Sequence, residues 1–327
     1  MENLIDKIFS IRSEADFEQC ALEVFQYQAQ KNPFYKGYVT ALRRNTADIK
    51  QLNQIPFLPI EFFKSHEIAT TIFSPEKIFY SSGTTGQTRS KHLVKDLSIY
   101  KRSFRKSFEL FYGDISQYVV LALLPSYLEN QSSSLVYMAE DLIQASNNSD
   151  SGFYLNEYDS LSNKINSLQY GNKKVLLLGV SFALLDFGEQ FPGNYRNLII
   201  METGGMKGRR KELTREELHF ELKKSFGVSE IHSEYSMTEL LSQAYSKKDG
   251  IFECPPWMKI LIRDSYDPFT FLSYNESGGV NIIDLANIYS CSFIATQDLG
   301  KLYSDNTFEI LGRFDNSDIR GCNLLIS

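Results

Sequence analysis

The spacing of apolar residues changes along this chain, and each change predicts a different kind of element. Near the start, Phe17, Ala21, Val24, Phe25 and Gln28 recur at helical spacing, and Asn32-Pro33 stops the run. The first 55 residues therefore read as a helical N-terminal segment. Next, Ile55-Pro56-Phe57-Leu58-Pro59-Ile60-Glu61-Phe62-Phe63 carries two prolines, which force an extended connector. From residue 78 onward, short apolar runs alternate with amphipathic stretches. Ile78-Phe79-Tyr80 runs into a Ser/Gly/Thr loop, and a helix is predicted over 97–112. Buried strands are predicted over 118–124, 174–180 and 197–201.

Thr214-Arg215-Glu216-Glu217 is a capping box, after which Leu218, Leu222 and Phe226 recur every fourth residue until Gly227. Strands alternating with helices predict an α/β fold of layered, mostly parallel sheets with flanking helices. In such folds ligands sit at the carboxyl ends of the strands. The predicted organisation is a helical segment over 1–55, a core over 56–312 and a short tail over 313–327.

The 327 residues are 43% apolar and 23% charged, which is ordinary globular usage, so wholesale disorder is excluded. The net charge of −6 gives no basic footprint for nucleic acid. The one basic run, Lys207-Gly208-Arg209-Arg210-Lys211, reads as a solvated face. Acidic residues interrupt every apolar run of the N-terminus, so no signal peptide or membrane span is expected. Cys20, Cys254, Cys291 and Cys322 lack zinc-like spacing, which points to a reduced, cytoplasmic protein. The plentiful Phe and Tyr are compatible with a long apolar tunnel as well as with a core.

The stretch richest in candidate chemistry is Ser81-Ser82-Gly83-Thr84-Thr85-Gly86, followed by Arg89 and Lys91. Its glycines let the backbone turn N–H groups inward as an anion nest, the hydroxyls add donors, and the two cations offset polyphosphate charge. No Gly-Lys-Ser/Thr closes it, so it is not an ordinary P-loop. Further on stand Gly204-Gly205-Met206, Glu234-Tyr235-Ser236-Met237-Thr238-Glu239, Thr296-Gln297-Asp298-Leu299-Gly300 and Gly312-Arg313-Phe314-Asp315.

In order and content these stretches resemble the motifs of the adenylate-forming superfamily (acyl-CoA synthetases, adenylation domains, luciferases). Departures from the pattern are Thr88-Arg89 for Pro-Lys, Ser236 for Gly and Gln297 for Gly. The resemblance implies ATP and Mg²⁺ as cofactors. Ser81, Ser82, Gly83, Thr84, Thr85, Gly86, Arg89 and Lys91 would hold phosphates, and Gly204, Gly205 and Met206 would lie against adenine. Tyr235 would stack on adenine, Thr238 would bond the α-phosphate, Glu239 would ligate the metal, Asp298 would hold ribose, and Arg313 would reach ribose or α-phosphate. It also implies that the full C-terminal small domain of typical members is lacking.

A narrower resemblance runs from about residue 50 to the end. Phe57-Leu58-Pro59-Ile60-Glu61-Phe62-Phe63-Lys64, the stretch from Leu124 to Val136 and the stretch from Ser236 to Tyr245 are similar to the acyl-protein synthetase family, which includes the synthetase of the bioluminescence fatty-acid reductase. That implies activation of a fatty or other carboxylic acid as acyl-AMP, then acylation of a thiol, with Cys322 as the expected acceptor and Pro125 to Ser134 near the acid. Acyl carrier protein, CoA or a partner reductase or transferase would be the partners. A CoA or carrier-protein ligase and a non-catalytic nucleotide- or acid-binding relative are the alternatives. Surface or core roles are expected for His66, His92, His219 and His232.

Overall fold

The computed structural model describes residues 2–82, 88–125, 132–204, 210 and 213–314. Helices α1 (Glu2–Phe9), α2 (Glu14–Lys31) and α3 (Pro33–Ala41) open the chain. A reciprocal capping box between Ser13 and Asp16 starts α2, and Asn32 both ends α2 and caps α3. Gln28 lies on the buried face of α2, and its amide nitrogen donates to the carbonyls of Asn287 (3.1 Å) and Ile288 (3.0 Å), while its oxygen accepts from the Ser292 N–H (2.9 Å). Asn32 adds a bond to the Ser290 carbonyl. The first helices are thereby bonded to the far end of the sequence.

The proline-rich connector forms β1 (Leu58–Pro59), then one helical turn, α4 (Phe62–Ser65). After the hairpin of β2 (Lys77–Tyr80) and β3 (Lys91–Val94), the βα alternation begins. It runs α5 (Leu97–Tyr112), β4 (Tyr118–Leu123), α6 (Ser134–Ala145), β5 (Gly152–Tyr154), α7 (Tyr158–Leu168), β6 (Lys174–Val180), α8 (Ser181–Gln190), β7 (Leu198–Thr203), α9 (Arg215–Phe226) and β8 (Ile231–Tyr235), and an edge strand β9 (Ala244–Ser246) follows. The sheet order is β5-β4-β6-β7-β8-β9, parallel except for β9. Every residue of β4 is buried, and so is every residue of β6 after Lys174. Continuous apolar runs of this kind mark strands covered on both faces.

The second sheet departs from the predicted parallel pattern. Strands β10 (Ile251–Phe252), β11 (Met258–Arg263), β12 (Ser277–Asp284), β13 (Phe293–Leu302) and β14 (Phe308–Arg313) pair antiparallel in the order β10-β14-β13-β12-β11, and β1 adds in parallel beside the start of β13. The connector is therefore a sheet strand. Leu58 and Pro59 lie opposite Ile294 and Ala295, and Pro59 sits where the ladder needs no N–H from it.

Gly300 marks the register shift between β13 and β14. A Cβ there would stand 2.7 Å from the Glu309 carbonyl oxygen and 2.7 Å from the Val280 side chain. Gly300→Ala is therefore expected to lower stability by about 1–3 kcal/mol. The check is the urea midpoint; an unchanged value would show that the strands can part without penalty.

Candidate functional site

The hydroxyl-rich stretch falls in the sequence between β2 and β3, which pair as a hairpin. Its stem is closed by two bonds: the Ser81 N–H donates to the Ser90 carbonyl (3.1 Å), and the Ser90 N–H donates to Ser81 Oγ (2.9 Å). Tyr80 N–H donates to the Ser132 carbonyl, which ties the stem to the segment before α6. Ser82, Arg89 and Lys91 are exposed, and the Arg89 guanidinium lies 5.2 Å over the Tyr80 ring. Gly83, Thr84, Thr85 and Gly86 lie outside the described residues, as do Gly205, Met206 and Cys322.

The hairpin stem meets the turn that follows β8. Glu239 is buried. Desolvation pushes its pKa up, and Ser90, its own backbone N–H, Arg313 and Lys64 oppose that rise. Thr238 is half-buried beside it. The chain after Glu239 is held by Asp284, whose carboxylate accepts from the N–H groups of Leu241 (2.7 Å), Ser242 (3.0 Å) and Ala286 (3.2 Å) and from the Ser242 hydroxyl (2.5 Å). Burial lifts Asp284 to about 6 against these four donors.

A second group joins β8 to the last two strands. The Tyr235 hydroxyl donates to Asp298 Oδ2 (2.7 Å), and Arg313 Nε donates to Asp298 Oδ1 (3.1 Å). The Tyr235 ring is buried against Phe252 and Phe308. Gln297, which stands where the resemblance expects glycine, donates to Glu61 (2.5 Å) and so ties the Asp298 strand to the connector. Gly204 ends β7 at φ +66, a left-handed conformation suited to glycine, and its carbonyl accepts the Ser181 hydroxyl (3.0 Å). Below it, buried Glu202 pairs with Arg215 (2.5 Å). Arg210 of the basic run pairs with Asp186 and Glu189 of α8 instead of standing free as a solvated face.

Three of the predicted positions, Tyr235, Asp298 and Arg313, thus fall into one bonded group, and Glu239 lies next to Thr238, whose carbonyl meets His92 of the hairpin stem. Arg89 and Lys91 remain on the exposed stem. The groups that join the segments carried no motif. His92 on β3 is buried, with Nδ1 2.8 Å from the Thr238 carbonyl and Nε2 2.9 Å from Asn287 Oδ1. Asn287 Nδ2 donates to the carbonyls of Glu239 (2.7 Å) and Cys291 (3.0 Å). These partners lie 146 and 195 positions from His92, so no local spacing could expose them.

Glu234 is a further buried acid at this end of the sheet. It accepts the Thr203 hydroxyl through Oε2, while Oε1 has no hydrogen-bond partner among the described residues. Burial, reinforced by nearby Glu202, raises its pKa from 4.5 to about 6, and the Ser236 and Thr203 hydroxyls oppose the rise. Between these values the folded chain keeps a proton that the unfolded chain has released. The stabilisation is therefore complete below about pH 4.5 and is lost as pH rises through about 6, on the order of 2 kcal/mol. Urea titrations from pH 4 to 8 should show Glu234→Gln gaining on the wild type by that amount; parallel profiles would contradict it.

No protein-family profile matches the sequence, and no curated protein matches it. Solved structures do. ATP-bound MatB from Rhodopseudomonas palustris aligns at a TM-score of 0.54 and 15% identity, over 75% of this chain and 50% of that one. A 2-hydroxyisobutyryl-CoA ligase in complex with 2-HIB-AMP and CoA aligns at 0.70 and 12% identity, over 94% of this chain and 70% of that one. An open conformation of that ligase aligns at 0.70 and 11% identity. The chain has an adenylate-forming-ligase fold. It spans about half the length of the MatB structure. In open α/β sheets a ligand crevice is expected at the carboxyl ends of the strands. No helix among the described residues is long and apolar enough to cross a membrane.

Proposed function

We propose that the protein uses ATP to activate a carboxylic acid as its acyl-AMP and then passes the acyl group to a thiol. The observation that supports this best is the meeting of the hairpin stem and the Thr238–Glu239 turn, where His92 of β3 faces the Thr238 carbonyl at 2.8 Å. The stem of the hydroxyl-rich stretch and the buried carboxylate of Glu239 thereby lie close to one another. Glu239 suits Mg²⁺, a hard ion that binds through one or two carboxylates together with substrate phosphates. Bound there, the ion would offset phosphate charge and so ease approach of an anionic acid.

In this reading the hairpin holds the β- and γ-phosphates, and Thr238 and Arg313 face the α-phosphate. Gly204, Gly205 and Met206 line the adenine with Tyr235, and Asp298 takes the ribose hydroxyls. In this reading the Tyr235–Asp298–Arg313 chain would join the base and ribose ends of the nucleotide. The acid's carboxylate oxygen attacks the α-phosphorus, an O–P bond forms, and pyrophosphate leaves. A thiolate then attacks the acyl carbon and AMP leaves.

The narrower reading is a fatty acid as substrate and Cys322 as acceptor, by resemblance to acyl-protein synthetases; CoA or a carrier-protein thiol is the alternative. Acid-dependent ATP–pyrophosphate exchange, run across acids from acetate to long fatty acids, tests the first half. Absence of exchange with every acid would leave only a binding protein. Covalent labelling by radioactive acid and ATP that disappears in Cys322→Ser would assign the acceptor to Cys322, whereas acyl-thioester formation on CoA or a carrier protein that continues in Cys322→Ser would pass the role to that thiol.

A further inference from the structure

The Thr238–Glu239 turn is held through its backbone as well as its side chains. His92 Nδ1 faces the Thr238 carbonyl at 2.8 Å, and Asn287, bonded to the other ring nitrogen at 2.9 Å, donates to the next carbonyl, that of Glu239, at 2.7 Å. Two consecutive carbonyls pinned in this way stop both peptide planes from turning, which fixes the direction in which the Glu239 side chain leaves the chain. Ser90, two residues before His92 on the same stem, acts on the Glu239 carboxylate and opposes the rise in its pKa.

The pairing leaves little freedom to reorganise. Both ring nitrogens face acceptors, the Thr238 carbonyl and Asn287 Oδ1, so the neutral ring that burial favours donates to one of them at a time. Asn287 cannot exchange its amide atoms, because its nitrogen already donates to the Glu239 and Cys291 carbonyls. The Phe63 ring packs edge-on to His92 at 6.2 Å. The Asn287 turn is itself anchored by Gln28.

We propose that His92 is a positioning residue that keeps Glu239 and Thr238 in register with the phosphate hairpin, so that MgATP meets both at once. This rests on the adenylation reading above. Loss of the ring would let the turn and the hairpin drift apart, which penalises the polyphosphate end of the ligand and spares the nucleoside end at Tyr235 and Asp298.

The experiment uses the full chain and measures KM for MgATP in acid-dependent pyrophosphate exchange, together with the competitive Ki of adenosine. In His92→Ala, KM for MgATP should rise about tenfold or more, while the adenosine Ki stays within about twofold, since a buried hydrogen bond lost from the site is worth about 1–3 kcal/mol. His92→Asn, whose amide nitrogen occupies the place of Nδ1, should recover most of the loss. His92→Gln, which reaches toward Asn287 only, should recover less, and this pair decides the matter if the alanine variant does not fold. Equal changes in KM and Ki, or equal KM values for the Asn and Gln variants, would overturn the positioning role. A wild type that supports no exchange with any acid would overturn the adenylation reading instead, and the positioning role with it.

Discussion

Glu239→Gln is expected to reduce acid-dependent pyrophosphate exchange by about 10²–10³-fold, the usual penalty for removing one preorganised charge or donor from a reacting phosphate or acyl centre. The substitution keeps the shape of the side chain. It removes a negative charge that burial already opposes. For that reason the folded chain should tolerate it, with stability within about 1 kcal/mol of the wild type. Activity and stability are thus predicted to separate. An exchange rate near that of the wild type would mean that the carboxylate plays no part in neutralising phosphate charge, and the site would have to be sought elsewhere.

Asp284→Ala should act through the fold instead. The carboxylate accepts from three backbone N–H groups and one hydroxyl, all buried, and alanine would leave each of them unpaired. Breaking a buried, fully paired charge network of this kind costs about 3–5 kcal/mol. Urea denaturation at pH 7 measures it. Asp284→Asn keeps one acceptor oxygen but turns an amide donor toward N–H groups, so it should fall between the two. A loss below about 1 kcal/mol in Asp284→Ala would show that water or a local shift replaces the carboxylate.

The two halves of the fold were unequally legible. The parallel sheet announces itself, because strands such as β6 bury both faces and read as unbroken apolar runs, while α9 carries its start and stop signals at Thr214 and Gly227. The antiparallel sheet was not separated from it. Strand β11 alternates buried and half-buried residues, but β12 is buried from Gly278 onward, so the second sheet has no single period. The two-residue strand β1, half of it proline, has no strand signature at all; its partner, 236 positions away, creates it. For the site, the motif residues Tyr235, Glu239, Asp298 and Arg313 came from resemblance, and the geometry adds how they are tied. What no pattern could reveal is the joinery. Ser90, His92, Asn287 and Asp284 are ordinary polar residues until the fold brings their partners to them.

The bonds from Gln28 to residues 287–292 also bear on how the chain comes to be folded. A ribosome adding about 5–20 residues per second releases α2 long before its partners exist. For roughly ten to fifty seconds that helix has a buried-face glutamine with nothing to bond and the apolar residues Phe17, Val24 and Phe25 with no floor. The parallel sheet can collapse in the meantime, since its strands follow one another closely. The opening helices must wait, and during synthesis they form the stretch that a chaperone would find uncovered the longest.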